Sequence, residues 1–418
     1  MIRVRRFPSP SFPVALFVAL LALPLASQAQ QSLITRTVNV LDAVCNGGPS
    51  NATLTTLSCT ISNNSGGLSN AEEQEAALQV AGNEAAAAGS NATQTTMAQM
   101  ETQTERLAVV RNDHVSAPLE TDRLGAFLNV FGGWGDVGAQ GEESSFDYHG
   151  GGFTGGVDYR IDDNKVAGLG FGWNRQVDDF DLFTSVAGGG AVVGGGDLEA
   201  DSYVLSLYGT LHQGPVYVDG MLSYTYVDYE IRRPVVIPGL GFGAVAQADP
   251  NAHQLGLSTG VGYPILLSGV LAGATVGPIA RVEYLYTRIS SYTEGGVPGV
   301  ALDYDDQNVH SLVTSIGGEV SYPVSTSVGV FTPQLRVTWE HEFEDDKRSI
   351  DSRLVADDTG RGFLSVFTDS PDRNYARVGA SVAAQLAGGI SAFVDYDAVV
   401  ALRKIDAHKI TAGGRIEF

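Results

Sequence analysis

Basic residues are scarce in this chain: 25 Lys and Arg stand against 47 Asp and Glu, for a formal net charge of −22. That balance excludes nucleic acid as a partner, because neutralising phosphates takes clustered Lys and Arg. Charged residues of both signs make up only 17% of the chain, and mean hydropathy is close to zero. The sequence is therefore too apolar for a disordered acidic chain and too polar for a helical membrane protein. Cysteine is limited to 2 residues, and the 7 histidines are scattered, so neither a Cys/His metal cluster nor another cofactor site is expected. Long apolar runs are missing after residue 29. The longest, residues 263–275, is broken by Pro264, Gly269 and Gly273, whereas a spanning helix needs about 20 apolar residues.

The first 29 residues carry an export signature. Arg3, Arg5 and Arg6 precede a short apolar run at 14–26, and Ser27-Gln28-Ala29 supplies small residues for cleavage. This pattern predicts a signal peptide removed after Ala29. Residues 30–92 are then expected to form a short N-terminal passenger. Its Cys45 and Cys59 predict one disulfide in an oxidising compartment, closing a short loop and contributing about 3 kcal/mol.

Residues 71–113 change to an Ala-, Glu-, Gln- and Thr-rich composition that favours helix. Gly82 and Gly89-Ser90-Asn91 are expected to break it in two, with Asn91 as an N-cap. Met97, Met100 and Leu107 share a stripe, but the rest of the second helix is polar all round, so it needs solvent, another helix or a polar cavity. At about 1.5 Å per residue it would reach about 30 Å, close to the thickness of a bilayer core. Residues 93–120 are read as this helix and its linker, ended by Pro118 and Thr121-Asp122.

From residue 121 to the C-terminus the hydrophobic period becomes 2. In the last segment His408, Ile410, Ala412, Gly414, Ile416 and Phe418 alternate with Lys409, Thr411, Gly413, Arg415 and Glu417. Twelve such segments are centred near Leu128, Val157, Phe171, Leu207, Tyr224, Val261, Tyr284, Ile316, Val337, Val378, Val394 and Ala412. Their connections alternate: short turns, as at Asp162-Asp163-Asn164, and long polar loops, as at 178–199. Apolar/polar alternation with short turns at one end and long loops at the other predicts an antiparallel outer-membrane barrel, with apolar residues facing lipid. Trp134, Trp173, Tyr226, Tyr286, Trp339 and Phe343 lie near the long loops, where an interfacial girdle belongs. Gly256, Gly260 and Gly262 fall on the inner face and make room there.

These features together resemble the autotransporter β-domain of type V secretion. The resemblance rests on the ordered set of Gly155-Gly156-Val157-Asp158-Tyr159-Arg160, Trp339-Glu340-His341-Glu342-Phe343, Tyr396-Asp397 and Gly413-Gly414-Arg415-Ile416-Glu417-Phe418, and covers about residues 93–418. It implies an all-β membrane protein: a 12-stranded antiparallel outer-membrane barrel with an N-terminal helix in its lumen and a short passenger. It further implies export or surface display of that passenger, with adhesion one use of it. The implied partners are outer-membrane lipid and lipopolysaccharide, periplasmic chaperones and the barrel-assembly machinery, which would read Phe418; the barrel would be monomeric. No G-D-S-L block and no G-x-S-x-G elbow precede the barrel, so no enzyme is expected. A porin-like channel plugged by its own helix is the competing reading.

Parity places a set of charges inside: Asp158, Arg160, Asp219, Arg281, Glu283, Glu319, Arg336, Glu340, Glu342, Arg377, Asp395, Asp397, Arg415 and Glu417. Arg106 and Arg111 on the helix are expected to pair with the acids among them. The family resemblance also raises self-cleavage at an Asn inside the barrel, for which Asn112 is the candidate. Acidic loop clusters at Glu142-Glu143, Asp303-Tyr304-Asp305-Asp306 and Glu344-Asp345-Asp346 offer oxygen ligands to Ca²⁺ or Mg²⁺ but lack the ligand spacing of a calcium loop, and solvated loop tips are the simpler reading.

Overall fold

A computed structural model describes residues 28–418, apart from 48–50, 64–67, 69, 114–122, 140, 182, 185–191, 194, 270–272, 345, 369–372 and 402–404. The predicted signal peptide at 1–29 lies outside this range save for its last two residues, which open the first helix.

Twelve long antiparallel strands close on themselves. They are β1 (Leu124–Val137), β2 (Phe146–Asp162), β3 (Lys165–Phe180), β4 (Asp197–Gln213), β5 (Val216–Ile237), β6 (Asn251–Gly262), β7 (Thr275–Ile289), β8 (Gln307–Ser321), β9 (Gly329–Glu342), β10 (Asn374–Leu386), β11 (Ile390–Val400) and β12 (Ile405–Glu417). Each pairs with its sequence neighbour, and β12 returns to β1 through pairs such as Ala126 with Ile416 and Trp134 with His408. Closure removes the sheet edges, which is what allows strands to cross a bilayer. No described helix is long and apolar enough to cross a membrane.

The barrel is built inside out relative to a soluble sheet. Leu128, Leu169, Phe171, Leu205, Leu207, Leu222, Leu257, Ile316, Leu335, Val337 and Val394 are exposed on the outer wall. Their strand neighbours Asn129, Thr154, Ser206, Thr210, Ser223, Ser258, Thr338 and Asp395 are buried in the lumen. The outer residues meet lipid, so their exposure is a match to solvent rather than a loss of hydrophobic burial.

Among the described residues four α-helices precede the strands: α1 (Gln28–Cys45), α2 (Ala52–Ser62), α3 (Asn70–Ala81) and α4 (Ala87–Asp113). The described part of residues 30–70, the disulfide-bearing stretch of the expected passenger, is largely helical. Asn51 caps α2 by accepting from the amides of Thr53 and Leu54, and the Cys45–Cys59 disulfide joins the end of α1 to α2. Gly82 does break the helical run, in the left-handed conformation at φ 66°. Gly89-Ser90-Asn91 does not, and α4 runs through it as a single helix. Asn91 is no N-cap: it is buried and donates to Asp178 Oδ2 at 2.9 Å, so a tertiary partner overrides the local signal.

The helices divide between two places. α4 threads the lumen and touches strands on all sides, β2 to β7 as well as β8, β11 and β12. α1, α2 and α3 sit over the long-loop end as a cap. The platform beneath them has two parts: the upper part of β5 paired with Phe242–Ala248, and a small sheet of Tyr292–Thr293, Leu302–Tyr304, Ser349–Leu354 and Phe363–Phe367. Leu41, Val44, Leu54, Ile61 and Val80 of the cap share one buried cluster with Val235, Val300, Leu302, Ile350 and Leu364 of the platform. The expected passenger therefore has a hydrophobic core only in combination with the barrel's loops.

Candidate functional site

The lumen around α4 is where the chemistry of this chain concentrates. α4 has two working faces. Met100 and Leu107 pack with Phe127, Tyr208, Met221 and Leu285, while Gln103 donates to Ser206 Oγ at 2.7 Å. Glycine lets the wall approach on this side: a Cβ at Gly256 would lie 3.1 Å from Met100 Sδ. Above, Gln254 donates to the Ala92 carbonyl at 2.8 Å and Tyr229 to that of Ala88 at 3.2 Å.

The opposite face is ionic. Glu101 pairs with Arg377 at 2.5 Å and with Lys409 at 2.6 Å. Glu105 pairs with Arg336, which also holds Asp397 at 2.7 Å. Arg377 in turn donates to Glu340 at 2.9 Å. A second set closes the short-turn end between strands alone. Arg415 bonds Asp158 at 2.7 Å and Glu417 at 2.5 Å, and Arg160 reaches Glu417 at 2.8 Å. Arg281 faces Asp219 at 3.5 Å and donates to Ser258, which donates to Glu283 at 3.2 Å. Glu319 accepts from Gln334 at 2.8 Å, and Glu342 accepts from Ser311 and the Leu312 amide.

The described helix-to-wall pairs have acids on the helix and cations on the wall. The side chains of Arg106 and Arg111 lie outside the described residues, as does that of Asn112. The described pairs run from the acids Glu101 and Glu105 to cations of β9, β10 and β12. Glu101 and Glu105 are spaced i, i+4, which puts them on one helix face, and Lys409 shares the parity of Thr411 and Arg415. Those two signals were present in the sequence. The fold also gathers Glu105, Asp395 and Asp397, with one carboxylate oxygen of each within 4.8 Å of the others, a grouping of possible metal ligands that the sequence did not suggest.

Not all of the lumen is filled. A cavity of about 330 Å³ runs beside α4 toward the long-loop end, lined by Thr93, Met97, Glu101, Tyr148, Arg377 and Lys409 among others. The cap closes over that end. Arg233 is buried and forks onto Glu294, with its Nε 2.8 Å from Oε1, and donates to the Gln79 carbonyl at the end of α3. Glu142 is drawn in rather than left at a loop tip: it accepts from Arg36 at 2.6 Å and from the Phe367 amide at 2.9 Å. Asp305 pairs with Arg353 at 3.0 Å, and Asp303 accepts from Thr293 at 2.6 Å.

On the outer wall the aromatic girdle carries histidine partners. Trp134 stacks on His408 at 5.6 Å, Tyr286 lies 4.9 Å from His310, and His341 is flanked by Trp339 and Phe343.

The autotransporter β-domain family model matches residues 126–397, nearly the whole barrel. The chain belongs to that family. As an autotransporter barrel it is an outer-membrane protein. It is similar in fold to the translocator domain of the autotransporter NalP from Neisseria meningitidis (TM-score 0.57, 16% identity, 78% of this chain and 98% of that one). It is 26% identical over 263 residues to the protein named Esterase EstA from Pseudomonas aeruginosa, covering 62% of this chain and 38% of that one. Lipase 1 from Photorhabdus luminescens is 27% identical over 175 residues, 41% of this chain and 26% of that one. The chain thus spans well under half the length of these curated relatives. A G-x-S-x-G string does occur in this autotransporter, at Gly256-Leu257-Ser258-Thr259-Gly260, but within β6. A nucleophile elbow needs a sharp strand-to-helix turn and a histidine base; Ser258 sits mid-strand and bonds Arg281 and Glu283.

Proposed function

We propose that this autotransporter barrel exports its own N-terminal segment, about residues 30–92, and retains it on the cell surface as a folded cap. The observation that carries this reading is the cap's shared hydrophobic core with the long-loop end, the extracellular end in this architecture. The chain path supports it as well: from the cap, α4 descends the lumen and β1 begins at the opposite, short-turn end. A segment translated before the barrel reaches the far mouth through the pore. Lipid and lipopolysaccharide suit the apolar wall. Chaperones and the assembly machinery are the partners such a wall needs before insertion, with Phe418 the terminal aromatic offered to that machinery. The monomeric barrel is complete without a partner strand. The cap's outer surface is polar, with Asn46, Asn51, Thr53, Thr56 and Asn63 exposed, and is the surface available for adhesion.

The test is a tag inserted between Cys45 and Cys59. Export predicts cleavage of the tag by external protease on intact cells. Cleavage only after the outer membrane is permeabilised refutes export and leaves a porin-like barrel plugged from the periplasm. The names of the curated relatives favour a second reading, ester hydrolysis. A p-nitrophenyl butyrate assay on the purified full chain decides it, and the mid-strand place of Ser258 predicts no turnover beyond that of Ser258→Ala.

A further inference from the structure

Glu105, Asp395 and Asp397 form a buried carboxylate group at the meeting of α4 and β11. Arg336 occupies one oxygen of Glu105 and Oδ1 of Asp397. Oδ1 of Asp395 and Oδ2 of Asp397 are buried and receive no hydrogen bond from a described Arg, Lys or amide; the two side chains lean on each other, and Asp395 is only 2% exposed. The cation near the Asp397 oxygen, Lys409, is 3.9 Å away and already engaged by Glu101 at 2.6 Å. Among the described side chains of this patch, Glu101, Glu105, Glu340, Asp395 and Asp397 face Arg336, Arg377 and Lys409. Acids outnumber cations in this seam, three of the carboxyl groups crowd one another, and buried charge left without a partner is heavily penalised.

We propose that Glu105, Asp395 and Asp397 bind one hard divalent cation, of the Mg²⁺ or Ca²⁺ class. Two added positive charges offset the crowding of these carboxyl groups. The donors are carboxylate oxygens alone, which suit hard cations rather than zinc or copper. Asp397 also borders the lumen cavity, which gives a hydrated ion a route in and room for the waters that complete its shell. One ligand comes from α4 and two from β11, so the site is whole only while the helix is threaded. The cation therefore ties the plug to the wall, independently of whether the cap is exported.

The test uses the full chain in detergent micelles, stripped with chelator and titrated with Mn²⁺ while free Mn²⁺ is followed by electron paramagnetic resonance. One tight Mn²⁺ per chain is expected, displaced by excess Mg²⁺ or Ca²⁺. Asp395→Asn and Glu105→Gln are each expected to weaken it at least tenfold, and Asp305→Asn on the outer loops to leave it unchanged. Absence of a tight ion, or a tight ion that persists in folded Asp395→Asn, overturns the proposal. A second arm needs no variant: saturating Mn²⁺ should slow hydrogen exchange in α4 around Glu105 and in β11 around Asp395. Protection confined to the acidic loops would place the ion there and refute the site.

Discussion

Glu84 offers a sharp test of how the cap is held. It lies in the turn at Asn83–Ala86 between α3 and α4, where it is 3% exposed and its Oε2 accepts no hydrogen bond. Burial raises its pKa from 4.5 to about 7; Arg233 pulls it down and Glu294 pushes it up. Arg233 cannot fully compensate, because its fork is already committed to Glu294. When the cap releases, Glu84 returns to water and to its ordinary value. Between pH 4.5 and 7 the docked state therefore holds a proton that the released state does not. Docking stability from this group is full below pH 4.5, falls as pH rises to about 7, and is constant above. At about 1.4 kcal/mol per pKa unit, the fall is about 3 kcal/mol. The assay is hydrogen exchange of α1, α2 and α3 amides from pH 4.5 to 8, corrected for the intrinsic rate. Glu75 is also raised, by burial and by Glu72, in the wild type and in Glu84→Gln alike, so the difference between the two proteins isolates Glu84. The wild type should lose protection across the window and Glu84→Gln should lose about 3 kcal/mol less. Equal slopes in both would refute the account of Glu84 as a buried, unmatched acid.

Other perturbations separate the cap from the plug and the wall. Arg233→Ala leaves Glu294 buried without its partner and should cost cap docking about 3–5 kcal/mol, read by the same exchange experiment with the barrel unaffected. Cys45→Ala with Cys59→Ala should cost the cap about 3 kcal/mol, seen as faster proteolysis within α1 and α2. Arg377→Ala strips Glu101 and Glu340 of a shared partner and should lower barrel stability by about 3–5 kcal/mol, measured by denaturant unfolding in micelles. Leu207→Arg on the outer wall should cost about 2–4 kcal/mol in lipid and far less where water reaches the wall, a contrast that checks which face meets the membrane.

The barrel was legible because every strand repeats the same physics. Side chains alternate across a strand, so one polar residue in two, kept up through β12 or β10, identifies both faces without any contact being known. All 12 expected centres fall within the barrel strands. The cap was illegible for the opposite reason. α1 mixes good helix formers with Thr, Asn and Ser, α2 is mostly Thr and Ser, and their apolar residues Leu41, Leu54 and Ile61 share a core with Val235, Val300 and Ile350. Those partners lie more than 170 residues further along the chain, at the upper end of β5 and in the platform segments beyond the barrel strands. Tertiary packing rather than propensity makes those helices.

The plug shows where parity stops and chemistry starts. Strand alternation put Arg336, Arg377, Asp395 and Asp397 on the lumen face, but parity has no reference to the helix, whose rotation is set by what fits the wall. The wall decides it through size and sign together. Gly256 leaves space against Met100, and the small Ser206 sits opposite Gln103, so the uncharged side of α4 turns toward β4 and β6. Glu101 and Glu105, one turn apart, are then left facing β9 to β12. There Arg336, Arg377 and Lys409 come from three separate strands. A chain with nearly twice as many acids as bases places three of its scarce cations at this one level, against two acids of its own helix. Turning the helix to present another face would break the bonds of Glu101 and Glu105 to those cations and leave them only Glu340 and Asp397 of the wall. The charge pattern therefore fixes the helix in one rotation and one depth within the lumen.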